Sequence, residues 1–186
     1  MLTELLPKNI NRRNVDIWFQ DETRVGQQGS LTRIWAKRGT RPRKVKQRQF
    51  IATYIYGAAC HDTGESFALI LPYANTVAMN KFLEDLSLTI QGNRHIALLM
   101  DNAGWHTAKK LTVPNNITLI PLPPYAPELN AMEQLWKWIK NHFLSNQCYG
   151  VYDDIVTIAC YAWNQLSQNV DLLKSIIYRD WIYAPR

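Results

Sequence analysis

The sequence predicts an α/β domain built on a mixed sheet, antiparallel in its early strands and parallel in its late ones. Three observations carry this. Strand-like segments follow one another down to Leu71, broken by turn residues such as "HDTGES". From Asn75 the apolar spacing changes from two to the helical repeat. After that, strands and helices alternate, which is the pattern of parallel pairing.

Taken in order, "NVDIWFQDETRV" alternates Val15, Ile17 and Phe19 with more polar neighbours and reads as a strand. "SLTRIWAKRG" reads as a second strand that enters a basic segment. The β-branched and aromatic content of "RQFIATYIYGAACHDTGESFALILP" predicts a hairpin: Gln49 to Ala59, a turn around Gly64, then Ser66 to Leu71. In "NTVAMNKFLEDLSLTI", Met79, Phe82, Leu83, Leu86 and Ile90 lie on one helical face behind Asn75 or Thr76 as cap. "HIALLMD" carries an unbroken apolar run from Ile96 to Met100, as a strand covered on both faces requires. A short helix is expected near Thr107, and "NITLIPL" is a further strand. "PPYAPELN" is a proline-stiffened turn. "AMEQLWKWIKNHFL" then sets Met132, Leu135, Trp136, Ile139 and Phe143 on one side of a strong helix. A last main helix is expected over about Tyr152 to Leu166, and the end of the chain has room for a short one.

With 186 residues, 47% of them hydrophobic, the chain suits one domain with a sizeable core. No apolar run approaches the roughly 20 residues needed to cross a bilayer. "MLTELLPKNINRR" lacks the apolar stretch of a secretion signal. Cys60, Cys148 and Cys160 are few, distant and odd in number, so buried thiols in a reducing cytosol are expected rather than a disulfide framework or zinc site. The net charge of +6 has one source. Arg33, Lys37, Arg38, Arg41, Arg43, Lys44, Lys46 and Arg48 make up eight of the 21 bases, in a stretch without a single acid. The remainder of the chain is net −2. A basic hairpin or loop facing a polyanion, nucleic acid first, is the expectation.

Ligands of parallel sheets gather beyond the carboxyl ends of the strands. Asp21 and Asp101 each close a strand-like run, and they converge if the first and fourth strands are neighbours. Glu133, on the helix after the proline-rich turn, is the candidate third acid, with Glu22 and Glu128 as competitors. Only one of Asp21 and Glu22 can face a given side of the sheet. Three carboxylates without a histidine or cysteine cluster make an oxygen-only site suited to Mg²⁺ or Mn²⁺. Each acid also has a structural alternative. The aspartates can cap turns, and Asn130 with Glu133 fits a capping box, while Glu133 and Lys137 fit an i,i+4 pair.

In that order, "FQDET", "DNAGWH" and "LPPYAPELNAMEQLWKWIK" resemble the catalytic domain of mariner-type DDE transposases, in particular their bacterial insertion-sequence branch. The resemblance spans about Asp16 to Ser167. It implies a ribonuclease-H-like fold with a five-stranded mixed sheet flanked by helices, and it divides the chain into a lead-in (1–14), a catalytic domain (15–168) and a tail (169–186). It puts the catalytic, metal-holding acids on Asp21, Asp101 and Glu133, preferring Glu133 to Glu128, with two Mg²⁺ or Mn²⁺ ions between them. Asn102, His106 and Asn130 are auxiliary positions, and Trp35 and Trp105 are candidates to stack on bases. The implied activity is cleavage and strand transfer of an insertion sequence at double-stranded DNA, both element ends and target, in the cytoplasm at the nucleoid. Ala131 and Met132 stand where the family has proline and a branched residue, so a slightly looser helix start is expected. The family carries an amino-terminal helix-turn-helix region, whereas the catalytic fold is expected here to begin within about 15 residues of Met1, so the chain reads as a catalytic half. The implied partners are therefore a separately encoded helix-turn-helix subunit and a second copy in a homodimer. A competing reading is a basic DNA-binding remnant, or partner of a transposase, that no longer catalyses. An Asp-nucleophile phosphatase on "DETRV" is disfavoured, because Thr23 stands where a second aspartate belongs.

Overall fold

The computed structural model describes residues 10–104, 110–124 and 126–182. Among them, five strands form one sheet: β1 (Val15–Gly26), β2 (Ala52–Cys60), β3 (Ser66–Leu71), β4 (His95–Met100) and β5 (Ile117–Pro121). The spatial order is β3-β2-β1-β4-β5. β1 and β2 pair antiparallel, as do β2 and β3, whereas β4 lies parallel to both β1 and β5. The expected mixed sheet is therefore present, and the first and fourth strands are neighbours.

Helices cover both faces. α1 (Thr76–Thr89) buries Met79, Phe82, Leu83 and Leu86 against Trp18, Tyr56, Ala58 and Leu98. Asn75 is its N-cap, with its side chain accepting from the Ala78 N–H at 2.9 Å. The opposite face carries α2 (Ala131–Ile139), α3 (Tyr152–Ser167) and α4 (Val170–Ile177), which share a core with Phe19, Ile55, Ala97 and Leu99. The alternation of the strand side chains sorts the two cores: Trp18 and Leu98 point one way, Phe19 and Leu99 the other. α4 is part of that second core, with Leu173 and Ile177 fully buried.

The predicted strand in "SLTRIWAKRG" does not form. Residues 27–51 run as a long irregular connection between β1 and β2, with one turn closed by the Thr40 N–H on the Lys37 carbonyl at 3.0 Å. A strand needs a neighbour, and both edges of β1 are already taken by β2 and β4. The connection is instead strapped to residues 145–149. The Asn146 side chain bonds to the backbone of Thr32, and the Gln47 side chain bonds to both backbone groups of Tyr149. Its apolar residues Leu31, Ile34 and Trp35 find no core, and Trp35 is 102% exposed. The thiol expectation also needs correction. Cys60 is buried at the end of β2, but Cys148 and Cys160 are exposed, and all three are free. The strong helix divides too: α2 ends at Ile139 and continues as one π-helical turn, Lys140–Leu144. The short helix expected near Thr107 lies outside the described residues.

α2 approaches the sheet through a glycine. Gly57 lies opposite Asp21 in the β1–β2 ladder, and a Cβ there would stand 2.6 Å from Trp136 and 2.9 Å from Trp163. Gly57→Ala is expected to destabilise the protein by about 1–3 kcal/mol through overpacking. Urea denaturation measures it, and an unchanged midpoint would mean that the two indoles can give way.

Candidate active site

The parallel register carries the first two acids to the same level. Phe19 and Leu99 are the last paired positions of β1 and β4, and two residues beyond them stand Asp21 and Asp101. Both share the side-chain parity of Phe19 and Leu99, so both turn toward the face covered by α2. Glu22 takes the opposite face. Its Oε1 accepts from Gln20 Nε2 at 3.2 Å, and its charge, after burial, helps to push the Tyr56 hydroxyl up to about 12. Strand geometry thus chooses between the adjacent acids.

The third acid arrives on α2. Asn130 docks the start of this helix twice: its Nδ2 donates to the Gln20 carbonyl at 2.9 Å, and its Oδ1 accepts from the Met132 N–H at 3.1 Å. Glu133 does not complete a capping box, because the Asn130 N–H donates to the Pro127 carbonyl instead. Among the described residues Glu133 forms no ion pair with Lys137. With Asp21, Asp101, Asn102 and Asn130, Glu133 lines a cavity of about 400 Å³, whose wall also includes Leu122, Pro123 and Pro124. Glu128 is not part of that lining.

Electrostatics inside this cavity is unfavourable to bare charge. The Asp21 carboxyl is pushed up to about 8, first by burial, then by the neighbouring Glu22 and Glu133, and least by Asp101. The Glu22 backbone N–H, donating to Oδ1 at 2.8 Å, pulls the other way. The indole Nε1–H of Trp136 donates to the second oxygen at 3.0 Å. Asp101 and Glu133 are exposed, and Asp101 Oδ1 accepts from the Ala103 N–H at 3.0 Å. As the side chains stand, no three His, Cys, Asp or Glu among the described residues come together to hold a metal ion. The donor set is nevertheless the hard, anionic one that Mg²⁺ or Mn²⁺ takes, with two of its three members at the surface and able to change rotamer.

Of the auxiliary positions, Asn102 lines the cavity and ties the end of β4 to that of β5, donating to the Leu122 carbonyl at 3.0 Å. Asn130 lines it as well. His106 and Trp105 lie outside the described residues. Arg33, Lys37, Arg38, Arg41, Arg43, Lys44, Lys46 and Arg48 are all exposed on the 27–51 connection. Sequence reasoning missed Trp136 as part of the site, reading it only as core. The available signal was that a buried indole N–H needs an acceptor. A larger cavity, about 540 Å³, opens at the other end of β1 and β4. Its Asp16 is already paired with Arg94, and Glu65 is the one other acid in its lining.

The sheet order and the helices on both faces make this a ribonuclease-H-like fold, similar to transposase catalytic cores. Residues 16–155 match the family described as DDE superfamily endonuclease, and the chain belongs to that family. It is 43% identical over 130 residues to the uncharacterized protein y4pE/y4sA of Sinorhizobium fredii (strain NBRC 101917 / NGR234), covering 70% of this chain and 96% of that protein. In fold it is similar to the Mos1 mariner paired-end complex with Mn, at a TM-score of 0.61 and 16% identity over 87% of this chain and 53% of that one. The Mos1 strand transfer complex is similar at a TM-score of 0.56 and 16% identity, over 88% of this chain and 55% of that one. The chain thus spans about half the length of these solved structures. Among the described residues no helix is long and apolar enough to cross a membrane.

Proposed function

We propose that this chain cuts and rejoins DNA in a divalent-metal-dependent reaction, as the catalytic domain of an insertion-sequence transposase. The observation that supports this most is the convergence of Asp21, Asp101 and Glu133 on one cavity, beyond the carboxyl ends of neighbouring parallel strands, in a chain of a DDE endonuclease family. Asp21 and Asp101 would hold two Mg²⁺ or Mn²⁺ ions between them, and Glu133 would complete one shell. When bound, the ions supply Lewis-acid activation of the attacking oxygen and charge neutralisation at the phosphodiester. The chain's own contribution is positional. β1 and β4 set the two aspartates at one level, while Asn130 fixes the start of α2 and so the reach of Glu133. Asn102 holds the rim formed by the ends of β4 and β5.

Double-stranded DNA, both element end and target, is the substrate in this reading. The exposed bases from Arg33 to Arg48 would hold its backbone through phosphate contacts that carry little sequence information. Trp35, fully exposed among them, would stack on an unpaired base. Specific recognition of ends falls to a separately encoded helix-turn-helix subunit, and pairing of two ends to a homodimer. The place of action is the cytoplasm, at the nucleoid, with residues 15–168 as the catalytic domain.

Nicking of supercoiled plasmid in Mn²⁺ tests the reading without knowledge of the end sequence. The wild-type chain is expected to nick, and Asp101→Asn and Glu133→Gln to fall to background. Equal nicking by all three would remove the acids from the chemistry. Salt-sensitive binding with no saturable uptake of Mn²⁺ would favour a non-catalytic DNA-binding remnant.

A further inference from the structure

We propose that Trp136 is a positioning residue for Asp21, and that Gly57 is what lets it act. The proposal rests on the metal-site reading above. Each oxygen of Asp21 accepts one hydrogen bond from a different donor: the Glu22 N–H at 2.8 Å on Oδ1 and the Trp136 indole N–H at 3.0 Å on Oδ2. A carboxylate oxygen has two lone-pair directions. One donor per oxygen therefore fixes the plane of the group and still leaves each oxygen a direction for a cation. With the indole bond missing, the group keeps a single anchor and can turn about its Cβ–Cγ bond.

The indole is itself tightly held. Trp136 is 2% exposed, and its ring lies 5.9 Å from that of Trp163 at a tilt of 44°. It reaches Asp21 by crossing β2 at Gly57, the residue opposite Asp21, where any Cβ would collide with it. Trp136 also follows Glu133 by three residues on α2, so the two lie on neighbouring positions of one helix. One short helix therefore both presents the third acid and orients the first. A shift of α2 changes the two together. The plainer account, that a buried indole N–H takes whatever acceptor is near, explains the bond but predicts only a stability effect.

Two replacements separate these accounts. Trp136→Phe removes the N–H and leaves a small void. Replacing Trp136 with 3-benzothienylalanine, a ring of the same shape with sulfur for N–H, removes the donor alone. Circular dichroism and thermal melts establish that each is folded, and isothermal titration with Mn²⁺ reads the affinity. Both replacements are expected to weaken Mn²⁺ binding roughly tenfold to a hundredfold, the usual range for loss of a group that orients a metal ligand. In plasmid nicking, kcat should fall while KM for DNA stays level. Wild-type affinity and kcat in the folded benzothienyl protein would overturn the positioning role, whatever Trp136→Phe does. Asp21→Asn run alongside tells the two failures apart. If it abolishes Mn²⁺ binding while the benzothienyl protein binds normally, only the role of Trp136 falls. If wild type and Asp21→Asn bind Mn²⁺ alike, or neither binds, the metal-site reading falls and takes this proposal with it.

Discussion

Asp21→Asn is expected to abolish metal-dependent DNA nicking and yet to raise the melting temperature of the metal-free protein at neutral and alkaline pH. The two effects share a cause. The Asp21 carboxyl is raised from 3.8 to about 8, first by burial and then by the neighbouring Glu22 and Glu133. Between those values the folded protein binds a proton that the unfolded chain has released, so stability falls as pH rises through this window. Below about pH 4 both states are protonated and the loss is absent. Asparagine never ionises, so the variant's advantage should be nil near pH 4 and grow to on the order of 5 °C at pH 8. Mn²⁺ should reverse the ranking. At a concentration a hundredfold above its dissociation constant, a ligand of the folded state adds about 2.7 kcal/mol, and only the wild-type site can collect it. Melting curves at pH 4 and 8, with and without Mn²⁺, decide the matter. A variant less stable than wild type at both pH values would show that Asp21 is not under strain from its neighbours.

Changing Arg41, Arg43, Lys44 and Lys46 together to glutamine is expected to weaken DNA binding steeply, and to flatten its dependence on salt. The substitution lowers the formal net charge from +6 to +2. Each lost phosphate contact takes about 0.9 from the slope of log K against log salt, so four contacts account for a change of up to about 3.6. Thermal stability should barely move, because all four side chains are exposed and none is in an ion pair among the described residues. Fluorescence anisotropy on a short duplex over a salt series measures the slope. An unchanged slope would place the DNA elsewhere on the molecule and leave the basic connection as solvated chain.

Much of this architecture is legible along the chain, and the places where local reading fails have a common origin. β4 was legible because five consecutive apolar residues, Ile96 to Met100, admit few other fates, and Asn75 because a side-chain acceptor before a helical run satisfies an orphan N–H. "SLTRIWAKRG" misled because a strand-like run of residues does not say whether a partner edge is vacant. The end of the long helix misled in the same way. The apolar spacing runs on through Phe143, but the backbone passes into a π turn at Lys140. Glu133 was ambiguous along the chain, since a capping role and a cavity role demand the same residue at the same spacing. The bond from the Asn130 N–H to Pro127 separates them, and a bond is a three-dimensional fact.

By itself, then, the sequence determined the kinds and order of the five strands and main helices that form, the concentration of positive charge in one stretch, and the short roster of acids. These follow from local periodicity and composition, which backbone geometry reads out within a few residues. Tertiary structure alone decided that β1 lies beside β4, that Asp21 rather than Glu22 faces α2, and that an indole 115 positions away completes the hydrogen bonding of Asp21. Those outcomes depend on which distant surfaces pack together. Burial sets that by the complementarity of whole faces, and no short window of residues contains it.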